Sequence, residues 1–540
     1  MRDKIALLAS FLMIPAAAQA QVHPDQHDHM AMERLGSVKF ATSCSAAVQP
    51  QFDRAVALMH SFQFGQAIDG FHAVLAADPT CAMAYWGIAL SNWSNPFAGF
   101  KSPAQLKLGL EAVTKARAAA PKTKRERDYV EAVAQLYVDD PHVDQDARLL
   151  AYETAMERVA RDNPQDSEAS IFYALALAAA ADPADKTYAK QLKAGAILER
   201  LFVQYPDHPG LAHYIIHAYD NPALASRAAE AARRYGKIAP STPHALHMPS
   251  HTFTRIGDWQ ASIDTNLASA AAARAAGQPA DELHASDYLV YAYLQTGQDN
   301  AAKRLVDTSA LVFSHFDPAN AKGAAPASAA FFARAAIPAR YALERRDWAG
   351  AAKLEPVPSK FPYADAITWF ARGLGAAHLG DAASARAAIA SLDRIHETLA
   401  EMDETYWANQ IDIQRRAVAA TLALAEGNVT EALAGMRAAA DLEDKSELSS
   451  VTPGPLMPAR EMLGEMLLGL KRPADAFKEF EASLIKQPNR FWSFVGAAEA
   501  ATAAGDAPAA RAYFQKLLAM AKRADQPSRP QLVEARRAQP

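Results

Sequence analysis

Between Arg460 and Pro488 the chain places Leu463, Gly464, Leu467, Ala476, Phe480 and Pro488 at a fixed rhythm, and that rhythm returns along most of its length. The ending of alanine, larger residue, proline recurs as Ala67, Phe71 and Pro79, and again as Ala194, Leu198 and Pro206. Ala228, Ala232 and Pro240 keep the spacing with a smaller middle residue. A looser form, glycine followed five residues later by alanine, appears at Gly297/Ala302, Gly380/Ala385 and Gly427/Ala432. Self-similarity at this period constrains a fold more than any local signal, because each repeat must be one supersecondary unit stacked on the next. Half of the residues are hydrophobic, alanine is abundant and β-branched runs are scarce, a composition suited to close-packed helices.

These spacings resemble those of tetratricopeptide repeats. In that motif small residues let two antiparallel helices approach, and the proline stops the second one. The resemblance spans about 50 to 520, with degenerate units at 100–160 and 310–365. It implies an all-α chain, a right-handed superhelical α-solenoid with a concave groove lined by the first helix of each pair. The phrases CAMAYWGIAL, HYIIHAYDNP and HALHMPSHTFTRIGDW further resemble a secreted bacterial subfamily of such proteins, which brings no activity with it. Breaks are expected at SNPFAGFKSP, FDPANAKGAAPAS and SSVTPGPLMP, each rich in Pro, Gly and Ser. The expected organisation is a leader at 1–20, an N-terminal segment at 21–50, one solenoid at 51–310, a second at 311–524, and a frayed tail at 525–540.

The leader reads MRDKIALLASFLMIPAAAQA. Arg2 and Lys4 precede an apolar run from Ile5 to Ile14, and Ala18-Gln19-Ala20 fits a small-residue cleavage site. The run is too short to span a bilayer, which needs roughly eighteen apolar residues, and no later stretch reaches that length. A mature chain starting near Gln21, in a periplasm or outside the cell, is expected. The formal charge of −5 becomes about −6 once Arg2, Asp3 and Lys4 leave. No basic block interleaved with aromatics is present, so nucleic acid is a poor partner class and a protein, peptide or small molecule a better one. In an oxidising compartment the two cysteines, Cys44 and Cys81, can pair, closing a loop worth about 3–4 kcal/mol in the chain-entropy model. Free buried thiols are the alternative.

Six of the sixteen histidines fall between Asp207 and Gly257. Five form two spaced groups, His213-x3-His217 and His244-x2-His247-x3-His251, and His284-x2-Asp287 follows. Steps of three and four residues put side chains on one helical face. The repeat register, taken from the resemblance, implies three groove-facing rows. The first is His213 and His217 with Asp220 and Asn221; the second is His244, His247 and His251 with Arg255; the third is His284, Asp287 and Tyr291. Stacked first helices would bring these rows side by side.

Neutral imidazole is the commonest nitrogen ligand for Zn, Cu, Fe and Ni. Two histidines one turn apart and a third from the next helix make a catalytic-type site with an open vertex. Asp287 is a further candidate ligand. Arg255 suits an anionic ligand, with Asp220, Asn221 and Tyr291 beside it, and Tyr291 or Asp287 suits proton transfer. Pro249 interrupts the donors between His247 and His251 and threatens their common face. The bland readings are histidines bonded to inter-repeat loops, or a metal-free groove.

His23, His27 and His29 read as a polar tail, His60 and His72 as packing or surface residues, and His378 as isolated. Tyr85, Trp86 and Trp93 read as inter-helix core, although Trp86 also falls at a groove position. HYIIH lacks the glutamate of HExxH, and no GxSxG elbow, phosphate-cradling loop or CxxC pair occurs. Two functional classes remain. One is a binding module with a ligand or partner in the groove and a metal or anion anchored by the histidines. The other is a metal-dependent hydrolase or oxidoreductase using the same pocket. Histidines converging on a point favour a metal centre; histidines spread along a shallow groove favour a scaffold.

Overall fold

The computed structural model describes residues 33–98, 101–140, 142–319, 323–449 and 451–539. The expected leader and His23, His27 and His29 lie outside them. From Leu35 onward the chain forms one compact unit. It is a TPR-like α-solenoid, without strands among the described residues. Helix pairs follow one another from Gln49–His60 with Phe64–Ala77 to Phe491–Ala503 with Ala507–Met520. The pairs that position the site are Pro209–Ala218 with Ala229–Ile238, the split first helix Pro243–His247 and Pro249–Ile256 with Trp259–Ala275, and Pro279–Gln295 with Asp299–Ser314.

The repeat residues do what their sizes suggest. Phe71 and Phe480 are fully buried, as are Ala67, Ala194 and Ala476. Each phenylalanine lies against a glycine of the following first helix. A Cβ built on Gly87 would fall 2.3 Å from the Phe71 ring, and one on Gly496 would fall 2.2 Å from Phe480. Glycine is required there so that the ring can touch helix backbone. Trp86 packs with Phe40, Tyr129 and Phe172 and is fully buried, so it belongs to the core rather than to a groove floor. Cys44 and Cys81 are joined in a disulfide.

The coil is wound tightly enough for distant pairs to touch. Helix Gln49–His60 meets helix Pro209–Ala218, where His60 Nδ1 lies 2.9 Å from Tyr214 Oη. Further on, Arg490 Nη1 donates to Tyr291 Oη at 3.0 Å and the Phe491 amide donates to Gln295 Oε1 at 2.9 Å. The expected open groove is therefore filled where the histidine rows lie. The segment 451–458, one of the expected breaks, enters this space. Arg255 Nη1 donates to Pro453 O (2.9 Å), and Arg340 Nη1 to Gly454 O (3.0 Å) and Pro455 O (3.2 Å).

Two further departures concern domain organisation. The apolar cluster that starts at Leu35 runs to Phe253 and also takes in Ala324, and the next spans Trp259 to Ile337, across the expected boundary at 310/311. The end of the chain is not a frayed tail. Pro530–Arg537 is a helix with Leu532 and Ala535 fully buried, and Arg529 Nη1 meets Asp299 Oδ1 at 3.2 Å. An aliphatic anchor and a buried ion pair hold what polar composition alone marked as loose.

Replacing Gly87 by alanine should destabilise the protein by about 1–3 kcal/mol, because the new methyl overlaps the Phe71 ring. Gly65→Ala, where a Cβ meets nothing within 4 Å, should be neutral or stabilising. Urea-unfolding midpoints of the two variants decide this.

Candidate metal centre

Helix Pro209–Ala218 carries His213 and His217 one turn apart. His213 is fully buried, and its Nδ1 lies 2.6 Å from the carbonyl oxygen of His60. A carbonyl only accepts, so Nδ1 carries the proton and the Nε2 lone pair of neutral His213 is bare. That Nε2 lies 3.1 Å from His244 Nε2. His217, partly exposed, is sandwiched between Phe97 (ring centroids 4.2 Å, 12° apart) and Phe62 (5.6 Å, 27°). Its buried Nε2 has no hydrogen-bond partner. The ligand atoms of His213, His217 and His244 all lie within 4.8 Å of one another.

A second triad adjoins the first. His247, His251 and His284 likewise bring their ligand atoms within 4.8 Å. Pro249 does not spoil the face: Met248 keeps helical torsions (φ −53°, ψ −35°), and His247 and His251 Nε2 are 3.0 Å apart. His247 Nδ1 lies 2.7 Å from Asn266 Oδ1, and Asn266 Nδ2 donates to Ser262 O at 2.9 Å, which fixes the amide's orientation. His251 Nδ1 lies 2.8 Å from the Asp220 carboxylate. Both Nδ1 atoms therefore donate, and two bare Nε2 lone pairs face each other. Without a cation or a proton between them this contact is repulsive. Two ligands of a tetrahedral ion with bonds of about 2.0–2.1 Å sit roughly 3.3 Å apart. Between triads, the ring centroids of His217 and His251, and of His244 and His247, are 6.4 Å apart.

Burial keeps these imidazoles neutral. It pushes His217 and His284 down to about 3, and His213, His244 and His247 well below the ordinary value, with repulsion between neighbouring rings adding to the effect. Burial alone would raise Asp220, but Arg255 and His251 outweigh it and hold the carboxyl ionised. Arg255 Nε lies 3.2 Å from Asp220 Oδ1.

Of the sequence candidates, the six histidines, Asp220 and Arg255 come together, with Arg255 acting on Asp220 rather than on an open vertex. Asp287, Tyr291 and Asn221 do not join them. Asp287 faces Arg340 Nε at 2.7 Å, because the first helix of the next pair, Ala327–Glu344, packs against it. Tyr291 is taken by Arg490, and Asn221 Oδ1 accepts from the Leu224 amide at 3.0 Å in a local turn. His60 is buried, and its carbonyl serves the first triad. His378 stacks on Trp348 at 3.8 Å, and His72 is exposed.

Several residues at the site had gone unremarked. Tyr288, one turn beyond His284, has its hydroxyl 3.5 Å from His251 Nδ1. Asn266 belongs to a buried polar stripe with Ser262 and Ser269, at helical spacing that the sequence displays. Phe62, with φ of 56°, presses its ring on three of the histidines, and nothing in the sequence marks it.

A third cluster, His60, Glu168 and His208, has the spacing of a ligand set but different chemistry. His60 Nε2 and His208 Nε2 point at separate oxygens of Glu168, at 3.0 and 2.9 Å. Donors meet an acceptor, so the contacts to Glu168 form a hydrogen-bonded brace, with His208 Nδ1 left without a partner. A cleft of about 720 Å³ is lined by Lys186, Tyr188, Pro222, Glu443, Pro455 and Arg460.

No protein-family model and no curated protein matches this chain. Solved structures do align with it. The human IFIT1 dimer with m7Gppp-AAAA covers 82% of this chain and 90% of its own at 10% identity and a TM-score of 0.35. The human IFIT1 dimer with PPP-AAAA aligns equally at a TM-score of 0.37. Nothing about the histidine centre follows from them.

Asp220→Asn should cost about 3–5 kcal/mol, because it leaves the buried Arg255 guanidinium without its anion. Asn221→Ala, which removes only a turn contact, should cost about 1 kcal/mol. Denaturant titration of both separates a buried ion pair from a local cap.

Proposed function

We propose that this chain is a secreted or periplasmic TPR-like binding protein whose two buried histidine triads hold transition-metal ions of the Zn, Cu or Fe class. One observation carries the reading: the bare Nε2 atoms of His247 and His251, 3.0 Å apart, with each Nδ1 committed to an oxygen acceptor. That arrangement, a ligand nitrogen aimed inward and its partner nitrogen anchored outward, is how metal-binding histidines are held. Asn266, Asp220 and the His60 carbonyl are the outer anchors. Convergence within two small triads also favours a metal centre over a scaffold with histidines spread along a groove.

The location is supported by the leader sequence and by the Cys44–Cys81 pairing, which suits an oxidising compartment. Among the described residues no helix is long and apolar enough to cross a membrane. The cleft beside Pro222 and Pro455 is the place for a peptide, protein segment or small-molecule ligand; the acidic net charge disfavours nucleic acid. A metal-dependent oxidoreductase or hydrolase is the second reading. Tyr288 supports it as a titratable hydroxyl 3.5 Å from the outer nitrogen of His251.

Protein purified without a histidine tag or chelator should contain stoichiometric metal by elemental analysis, and the His247→Ala/His251→Ala variant should lose it from the second triad with unchanged far-UV circular dichroism. Removing the metal with a chelator should also lower the melting temperature, since an ion at 100 times its Kd stabilises by about 2.7 kcal/mol. Parent protein that neither contains nor takes up metal would sink the reading.

A further inference from the structure

We infer that the two triads hold a pair of copper(I) ions, one in each. The inference rests on the reading of the triads as metal sites and adds the identity, charge and number of the ions.

Charge comes first. Neither triad has a carboxylate among its ligating atoms. The charged groups around the second triad are Asp220 and Arg255 and, behind Tyr288, Asp287 and Arg340. These form two ion pairs, Arg255 with Asp220 and Arg340 with Asp287, and leave no net charge. Near the first triad the carboxylate is again Asp220, which acts on His217 and is already paired with Arg255. Two divalent ions would therefore bring four positive charges into a buried site with at most one carboxylate to oppose them. The solvation cost of burying an ion rises as the square of its charge, so a divalent ion costs roughly four times a monovalent one. Of the metals that imidazole suits, copper offers a stable monovalent state.

Coordination number comes second. Zinc in a three-histidine site takes a fourth ligand such as water. At the first triad that approach is narrowed by aromatic walls. Phe97 lies flat on His217, and Phe62 covers His213, His217 and His244 with ring centroids 4.3, 5.6 and 5.4 Å away. Copper(I) has the same filled d shell as zinc(II) but half its charge, and is content with three ligands. The adjoining rings, 6.4 Å apart at two places, make the triads a pair rather than two remote sites.

The test is an anaerobic titration of full-length apo-protein, disulfide intact, with copper(I) kept reduced by ascorbate and read against bathocuproine disulfonate. A parallel titration uses zinc(II). Two copper(I) per chain are expected, undisplaced by a large excess of zinc(II). His217→Ala and His284→Ala, both at partly exposed positions, should each retain one, and circular dichroism of the apo-variants checks folding. Two zinc(II) per chain with fewer than two copper(I) would overturn the copper assignment and leave the metal-centre reading standing. One copper(I) per chain would overturn the pair. Failure to bind either metal would overturn both the inference and the reading beneath it.

Discussion

The hydrogen bond from His213 Nδ1 to the carbonyl of His60 joins two turns of the coil and orients a candidate ligand at once. A repeat array normally holds itself together through contacts between neighbouring units. Here helix Gln49–His60 meets a helix four pairs later, and the meeting point is built around histidine. Phe62, two residues after His60, takes a left-handed conformation that non-glycine residues adopt at a cost. That backbone turns its ring onto the imidazoles.

Outward from this bond the site is a series of committed hydrogen bonds. Asp220 is shared by His251 and Arg255, and Arg255 reaches on to the carbonyl of Pro453. The segment 451–458 is thereby tied to the second triad, and Arg340 holds its other side through Gly454 and Pro455. Buried ion pairs of this kind contribute little net stability over apolar packing, but losing one partner leaves a costly unpaired charge. They specify which turns of the coil meet and where. The brace of His60, Glu168 and His208 shows the other outcome available to clustered histidines, with every contact between nitrogen and carboxylate a donor–acceptor match.

The repeat was legible because it depends on side-chain size at fixed spacing. Phe71 against Gly87 and Phe480 against Gly496 are consequences of neighbouring units, which lie close in sequence. The histidine rows were legible for the same reason: steps of three and four residues share a helical face whatever surrounds the helix. Tyr288 was available to the same argument, one turn past His284. Asp287 and Tyr291 share that helix, yet the next helix pair gives Asp287 Arg340 as a partner, and a distant turn of the coil gives Tyr291 Arg490. The C-terminal helix escaped for a related reason, since its anchor Asp299 lies 230 residues before Arg529.

The sequence by itself determined the helical repeat and the turn spacing of the histidines. Each is a local property, set by size, periodicity or composition within a few turns of chain. Only the tertiary structure decided that six histidines divide into two triads with bare nitrogens facing each other. Which ring nitrogen is bare depends on what the other one touches, and those partners, His60 O, Asn266 and Asp220, lie 153, 19 and 31 residues away. Only the winding of the coil brings them there.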